Sequence, residues 1–547
     1  MLIGWVSDER DIALQDVAVE FEQRGETVEV TRSTARGRIH ADLEPGSYRV
    51  TLRKDGFGGK RAAVDIGPGH SPVRFRLLSD RLVGFVWPKW VRAGELGELR
   101  FHAREPYHLS LWRYGLRKEL VRPLGWYDEH GPQATAQLLP DGDVAASGVH
   151  WNRVGYGTNP HVGQLLEAPE RGGLYYVHAR GESGAFFSAP WVVAPARPTA
   201  PIAVVASTNT WNAYNNFGGR SNYVNAAGLP AEPVVDARQD LDRYRALSVG
   251  EWSQPDDAYP PLSFERPEPF NHVPEGIEAI DPIAGRQPCH LAPAEWRLLA
   301  WLEREGFAYD LYADRQLHDG ILDPAAYEAV ILAVHPEYWS RRAFDRLERW
   351  VCDRGGRLAY LGGNGLNCEV EYPDGDAMRC RTHLGSSDGA LGMPDAIDPS
   401  MWHDSRFSRS AVPEARLLGV ATTAAGIMTS APYRALAAGH WAFAGTGIAD
   451  GDVFGTASLH ERCPGGASGH ETDKRSAHTP ESAVLLAKGL NPDDGGAEIV
   501  AYETVSGGAV FSVGSITWVA SLLVDDAIST LTRNVLTRFL TGPALHT

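Results

Sequence analysis

The stretch Ala329-Val-Ile-Leu-Ala-Val-His-Pro-Glu-Tyr-Trp-Ser340 decides how the chain is read. Ala329–Val334 is an unbroken apolar run, which predicts a strand covered on both faces, because a half-exposed strand would alternate. Ser340 suits a helix N-cap. Phe344, Leu347 and Val351 then fall on one face of a helix over Arg341–Asp353, closed by Gly355-Gly356. Arg357–Leu361 is a second apolar strand. Strand, helix and strand in this order form the unit of a parallel sheet. Between the first strand and the helix stand His335 and Glu337. Residues i and i+2 of an extended chain point the same way, so both side chains can face one cavity, with the positive end of a helix nearby.

Working outward, Ile202–Ser207 and Tyr309–Ala313 read as strands, and Ala294–Glu305 as a helix between Pro293 and Gly306. Ala509–Val513 is a further strand, and Ile528, Leu531, Val535, Leu536 and Phe539 line one face of a last helix. Residues 199–547 are therefore expected to form an α/β doubly wound domain. Two stretches, 208–292 and 364–495, are rich in Gly, Pro, Asn, Asp, Tyr and Trp and break the rhythm. They are expected to be functional loops above the carboxyl ends of the strands, where ligands of such sheets bind.

Ala194-Pro-Ala-Arg-Pro-Thr-Ala-Pro201 carries three prolines in eight residues, a stiff boundary. Before it the pattern is β throughout, and two β-sandwiches are expected, over 1–79 and 80–198. Leu43-Glu-Pro-Gly-Ser-Tyr-Arg-Val-Thr-Leu52 resembles the last hairpin of transthyretin-like sandwiches. The second region is expected to be of immunoglobulin or fibronectin type. Neither gathers chemically competent residues, so support, partner contact or a lid is the expected role.

Bulk properties narrow the function. A net charge of −17 over 547 residues argues against nucleic acid or an anionic membrane as partner. The five cysteines, Cys289, Cys352, Cys368, Cys380 and Cys463, form no Cys-x-x-Cys pair, which fits a reducing cytoplasm and speaks against a thiolate zinc site. Met1–Val6 is too short and too acidic in its flank for a signal peptide, and no apolar run is long enough for a membrane span.

The residues that could do chemistry are oxygen-rich. Tyr214 stands among amides and glycines after the first strand, Asn364 follows Gly362-Gly363, and Glu471 and Asp473 lie in Gly469-His-Glu-Thr-Asp-Lys474. With His335 and Glu337, such a set suits a hard cation better than zinc. Neither Gly-x-Cys-x-Gly nor Gly-x-Ser-x-Gly occurs, and Cys368 is displaced into a loop, so a covalent nucleophile elbow is not supported.

Five ordered motifs, Asn209-Thr-Trp-Asn-Ala-Tyr-Asn-Asn-Phe-Gly-Gly219, Leu262-Ser-Phe-Glu-Arg-Pro267, His335-Pro-Glu-Tyr-Trp-Ser340, Gly362-Gly-Asn364 and Gly514-Ser-Ile-Thr-Trp518, resemble the large subunit of N,N-dimethylformamidase over roughly residues 170–541. The resemblance implies a class I glutamine amidotransferase-like α/β domain that hydrolyses small amides. It implies a mononuclear iron, as Fe3+, held by two tyrosines and a glutamate. Tyr214 and Glu337 resemble two of these ligands. Tyr259 is the choice for the second tyrosine, with Tyr244 and Tyr223 as alternatives. His335 and Asn364 resemble groups that either support the metal ligands from behind or polarise substrate, and Glu471 resembles the catalytic acid. A small-molecule amide is the implied substrate, and a small partner subunit or a homo-oligomer the implied assembly. The first 80 residues lie outside the resemblance. Two other readings remain open: a metal-free hydrolase of glutamine-amidotransferase type, and a noncatalytic protein that binds carbohydrate or a partner.

Overall fold

The computed structural model describes all residues except 9–11, 78, 80, 104, 128–163, 216, 218–220, 223–231, 236–260, 286, 374, 382–412 and 543–547. The architecture is multidomain and β-rich at its N-terminal end. A four-stranded sheet (Ala18–Gln23, Glu26–Arg32, Gly46–Arg53, Lys60–Ile66) faces a three-stranded one (Leu2–Ser7, Arg38–His40, Val73–Arg76). Alternate residues such as Val19, Phe21, Val50 and Leu52 bury against Ile3, Val6 and Phe75 between them. Tyr48 Oη donates to the carbonyl of Glu44, four residues upstream, at 2.6 Å, a tyrosine corner of the kind that locks sandwich turns.

The next region repeats the plan with a three-stranded and a five-stranded sheet, filled by Val86, Phe101, Leu111, Val177 and Trp191. Tyr175 Oη closes a second such corner on the carbonyl of Arg171. This sandwich packs on an α/β layer built from the C-terminal part of the chain. Tyr114, Leu174, Tyr176 and Val192 share one core with that layer, and Trp296 Nε1 donates to the carbonyl of Gly115 at 2.8 Å.

The α/β layer is built on a nine-stranded sheet. In chain order its strands are β1 (Ile202–Ala206), β2 (Tyr309–Ala313), β3 (Ala329–Val334), β4 (Arg357–Gly362), β5 (Tyr433–Ala435), β6 (Val453–Phe454), β7 (Val484–Gly489), β8 (Glu498–Glu503) and β9 (Ala509–Ser512). The spatial order is β2-β1-β3-β4-β9-β8-β7-β5-β6. The first five run parallel, and the rest are antiparallel. Helices cover both faces. The helices α2 (Ala292–Arg304), α6 (Thr517–Ser521) and α7 (Asp526–Thr541) pack on Ile202, Val204, Ile331 and Leu361. Opposite them α3 (Asp314–Asp319), α4 (Arg341–Arg354) and α5 (Ala415–Leu418) pack on Val205, Val330, Leu332 and Leu358. Ser340 Oγ caps α4 by accepting from Ala343 N at 3.2 Å, and Gly355 ends it in the left-handed conformation.

The sheet departs from the expectation in one respect. Residues 364–495 are not only loop: β5, β6 and β7 lie there and extend the sheet with antiparallel strands. Such strands are two to six residues long and need no crossover helix, so neither periodicity nor a helix signal betrays them. A short helix α1 (Thr208–Tyr214) follows β1 directly, and a small sheet of Leu262–Ser263, Ala377–Arg381, Cys368–Glu371 and Tyr338–Trp339 stands beside it. No helix among the described residues is long and apolar enough to cross a membrane.

Candidate metal and catalytic site

The carboxyl ends of β3, β4 and β9 meet where the chain is most strained. Val334 closes β3 with φ 54°, a conformation a β-branched residue rarely adopts, and His335 N donates back to the carbonyl of Ala333 at 2.7 Å. Glu337 N in turn donates to the carbonyl of His335 at 2.9 Å. Two successive three-residue turns, rather than extended chain, thus aim His335 and Glu337 at the same point. Asn364 after β4 and His470 before Glu471 are also left-handed, with φ 51° and 65°. Strain concentrated in one place and sustained by the surrounding fold is a mark of a functional site.

The side chains converge accordingly. His335 and Glu337 are fully buried. Tyr214, at the end of α1, donates from Oη to Glu337 Oε2 at 3.0 Å. His335 Nε2 lies 3.3 Å from that same oxygen and 3.2 Å from Glu471 Oε2, yet is aligned for a hydrogen bond with neither. Asn364 Nδ2 donates to Glu471 Oε2 at 2.6 Å, while Asn367 Nδ2 holds the Asn364 carbonyl oxygen at 2.6 Å. Asp473 positions this turn: it accepts from Asn364 N at 2.8 Å and from Tyr360 Oη at 2.7 Å. Residues 469–473 are themselves pinned to the end of β9, Gly469 N donating to Ser515 Oγ and Asp473 N to the carbonyl of Gly514, each at 2.8 Å. Burial alone would lower the His335 pKa, but the carboxylates of Glu471 and Glu337 outweigh it and raise it. Burial works the other way on Glu471, and the imidazole of His335 wins by lowering it. Two carboxylates thus share one imidazole at low dielectric, an excess of negative charge that a cation would balance.

Tyr214, Glu337, His335, Asn364 and Glu471 form one connected group. Tyr259, Tyr244 and Tyr223 lie outside the described residues. Cys368 is buried in a short strand paired with Tyr338–Trp339, not at a strand-to-helix elbow. Sequence reading passed over His290, whose Nδ1 stands 2.9 Å from His335 Nδ1, and Gln287, whose Oε1 meets His290 Nε2. Gln287-Pro-Cys-His290 follows no recognisable pattern, and only the fold brings it to the site.

A second cluster, Cys289, His460 and His470, offers ligand atoms within 4.8 Å of one another. Its hydrogen bonds oppose a metal. His460 Nδ1 accepts from Cys463 N at 2.9 Å, so its proton sits on Nε2, 3.1 Å from His470 Nδ1. Coordination through Nε2 would force that proton to Nδ1, against the amide N–H, whereas metal-bound histidines face an acceptor there.

The donor set of the main site does fit a hard trivalent or divalent cation. A phenol, Tyr214, and two carboxylates, Glu337 and Glu471, are gathered around His335, and such hard oxygen donors are the kind these cations take.

These features define a β-rich, multidomain chain whose α/β layer carries a phenol–carboxylate–imidazole centre at the carboxyl edge of its parallel strands. The chain belongs to the family described as N,N-dimethylformamidase beta subunit-like, C-terminal, whose model matches residues 122–530. It is 27% identical over 412 residues to the N,N-dimethylformamidase beta subunit of Alcaligenes sp, and 28% identical over 412 residues to that of Paracoccus aminophilus. Each alignment takes in 64% of this chain and 50% of the relative, so the chain spans about half the length of the curated relatives it matches. Among solved structures, the fibronectin(III)-like modules of Clostridium thermocellum CbhA align at 14% identity over 36% of this chain and 92% of that one, with a TM-score of 0.12, too low to bear on the fold.

Proposed function

We propose that this chain carries the hydrolytic centre of a metal-dependent amidase acting on small linear amides, dimethylformamide among them. The observation that carries the proposal is the convergence of Tyr214, Glu337, His335, Asn364 and Glu471, from four separate segments, through contacts of 3.3 Å or less. Tyr214, Glu337 and a second tyrosine, with Tyr259 as the choice, would hold ferric iron. When bound, the ion would polarise the amide carbonyl as a Lewis acid and lower the pKa of water. The relatives' name, dimethylformamidase beta subunit, supports both the reaction and a partner subunit. The order β2-β1-β3-β4-β9 supports a doubly wound layer of glutamine-amidotransferase type.

The chain's own residues supply the proton traffic. Water adds its oxygen to the carbonyl carbon, and Glu471, held by Asn364, accepts the proton released. As the C–N bond breaks, that proton goes to the departing nitrogen, giving a carboxylic acid and an amine. His335, between Glu337 and Glu471, keeps the negative charge of the pair in check while the proton is away. The second amide hydrogen of Asn364 Nδ2 is free of Glu471 and suits the tetrahedral oxyanion.

The test is amine release from dimethylformamide by the purified protein, with elemental analysis of the same sample. Iron near one equivalent per chain with turnover is expected. Turnover that survives complete removal of metal overturns the reading.

A further inference from the structure

We propose that Gln287 and His290 are positioning residues that pin a proton on His335 Nδ1, so that Nε2 is the nitrogen His335 turns toward Glu337 and Glu471. The hydrogen bonds fix each proton in turn, from the protein side inward. Gln287 presents its amide oxygen to His290 Nε2, and an amide oxygen only accepts, so His290 carries its proton on Nε2. His290 Nδ1 is then a bare acceptor, and it stands 2.9 Å from His335 Nδ1. That contact requires a proton between the two nitrogens, and the only one available belongs to His335. The Nδ1 proton is therefore committed whether the ring is neutral or charged. Nε2 is left facing Glu337 and Glu471 with no aligned partner among the described residues.

The arrangement is built to hold. Gln287 and His290 are joined by a turn, His290 N donating to the carbonyl of Gln287 at 3.2 Å, immediately before α2 begins. The His290 ring is packed edge-on against Tyr214 at 4.8 Å and against His470 at 5.0 Å, so it cannot turn over without moving both. A neutral histidine bonded on one nitrogen is fixed in one tautomer, and the other nitrogen becomes its working face.

The inference rests on the proposed role of His335 only for its kinetic consequence. It is tested on the full chain labelled with nitrogen-15 in the imidazole rings, the His335 signals being those missing from His335→Gln. A protonated Nδ1 is expected in the wild type. Gln287→Leu frees His290 to change tautomer, and His290→Phe removes the acceptor. Both should lose the bonded Nδ1 proton and lower kcat on dimethylformamide about 10- to 100-fold, with KM little changed. Gln287→Glu, whose carboxylate only accepts, should restore what Gln287→Leu loses. His290→Asn, which puts an amide oxygen near the place of Nδ1, should keep the proton, and it tests the same contact if His290→Phe does not fold. A wild-type His335 Nδ1 without a proton, or Gln287→Leu and His290→Phe turning over as the wild type does, overturns the inference. If the wild type hydrolyses no amide, the proposed function falls, while the nitrogen signals still decide the clamp.

Discussion

Tyr214 Oη and Glu337 Oε2 are 3.0 Å apart although 123 positions separate them in the chain. A phenol and a carboxylate brought together without water between them are either a simple hydrogen bond or two ligands of one ion, and the variants of each separate these. If both bind ferric iron, the protein is coloured, because phenolate-to-iron charge transfer absorbs visible light. Tyr214→Phe keeps the ring and should lose the band and the iron together. Glu337→Ala should retain no metal, whereas His335→Ala should keep most of it and lose turnover. A colourless protein that carries zinc and no iron would remove the iron site from consideration.

Gly362 and Gly363 are needed for their missing side chains. A Cβ on Gly362 would overlap the carbonyl oxygen of Val334, and one on Gly363 would lie 2.6 Å from that of Glu471. Alanine at either should cost about 1–3 kcal/mol of stability, as overpacking does. At Gly363 it should also lower turnover more than stability, because it pushes Glu471 away from His335. Gly439 has open space around it and is the control. Equal urea midpoints for Gly363→Ala and Gly439→Ala would contradict this account.

Glu295 ties α2 to the segment that delivers Tyr214. Its Oε1 accepts from Ser207 N at 2.9 Å and from Trp211 Nε1 at 3.0 Å. Burial pushes its carboxyl up to about 8, against the pull of those two hydrogen bonds. A raised carboxyl favours the folded state while protonated. Its contribution is complete below the ordinary value of 4.5 and is lost as pH rises through about 8. Glu295→Gln keeps the accepting oxygen and cannot ionise. The wild type should lose on the order of a few kcal/mol between pH 5 and pH 9 that the variant does not. Parallel urea midpoints across that range would show that Glu295 does not titrate there.

Much of the site was legible because strand and motif coincide: the apolar run Ala329–Val334 announces β3, and His335 and Glu337 follow at once. The direction in which they point was not legible. Two tight turns with a left-handed valine do what extended chain was expected to do, and a β-branched residue gives no sequence hint of positive φ. Gln287 and His290 were hidden for another reason. Their meaning lies in a contact across 45 positions, between His290 and His335, and no local period records it. The strands β5, β6 and β7 escaped because short antiparallel segments broken by glycine and proline resemble loop.

Lys89 Nζ and Glu268 Oε1 form a buried pair at 2.5 Å between the second sandwich and the segment that leads to α2. Glu268 also accepts from Asn271 Nδ2 at 3.1 Å, and Asn271 Oδ1 accepts from Ala292 N at 3.1 Å, at the first residue of α2. The sandwich thus reaches the start of the helix through one chain of polar contacts. Burial lowers the Lys89 pKa to about 8 even with Glu268 beside it, so desolvation is the larger effect and the pair adds little net stability. Removing one partner is another matter, because the other charge then stays buried alone. Lys89→Met should cost about 3–5 kcal/mol. The double variant Lys89→Met with Glu268→Gln should recover much of that loss, since the amide still accepts from Asn271 and no charge is stranded. Urea denaturation of the four proteins gives the coupling directly. Strictly additive losses would mean that the two side chains act independently, and that this chain of contacts does not couple the sandwich to the start of α2.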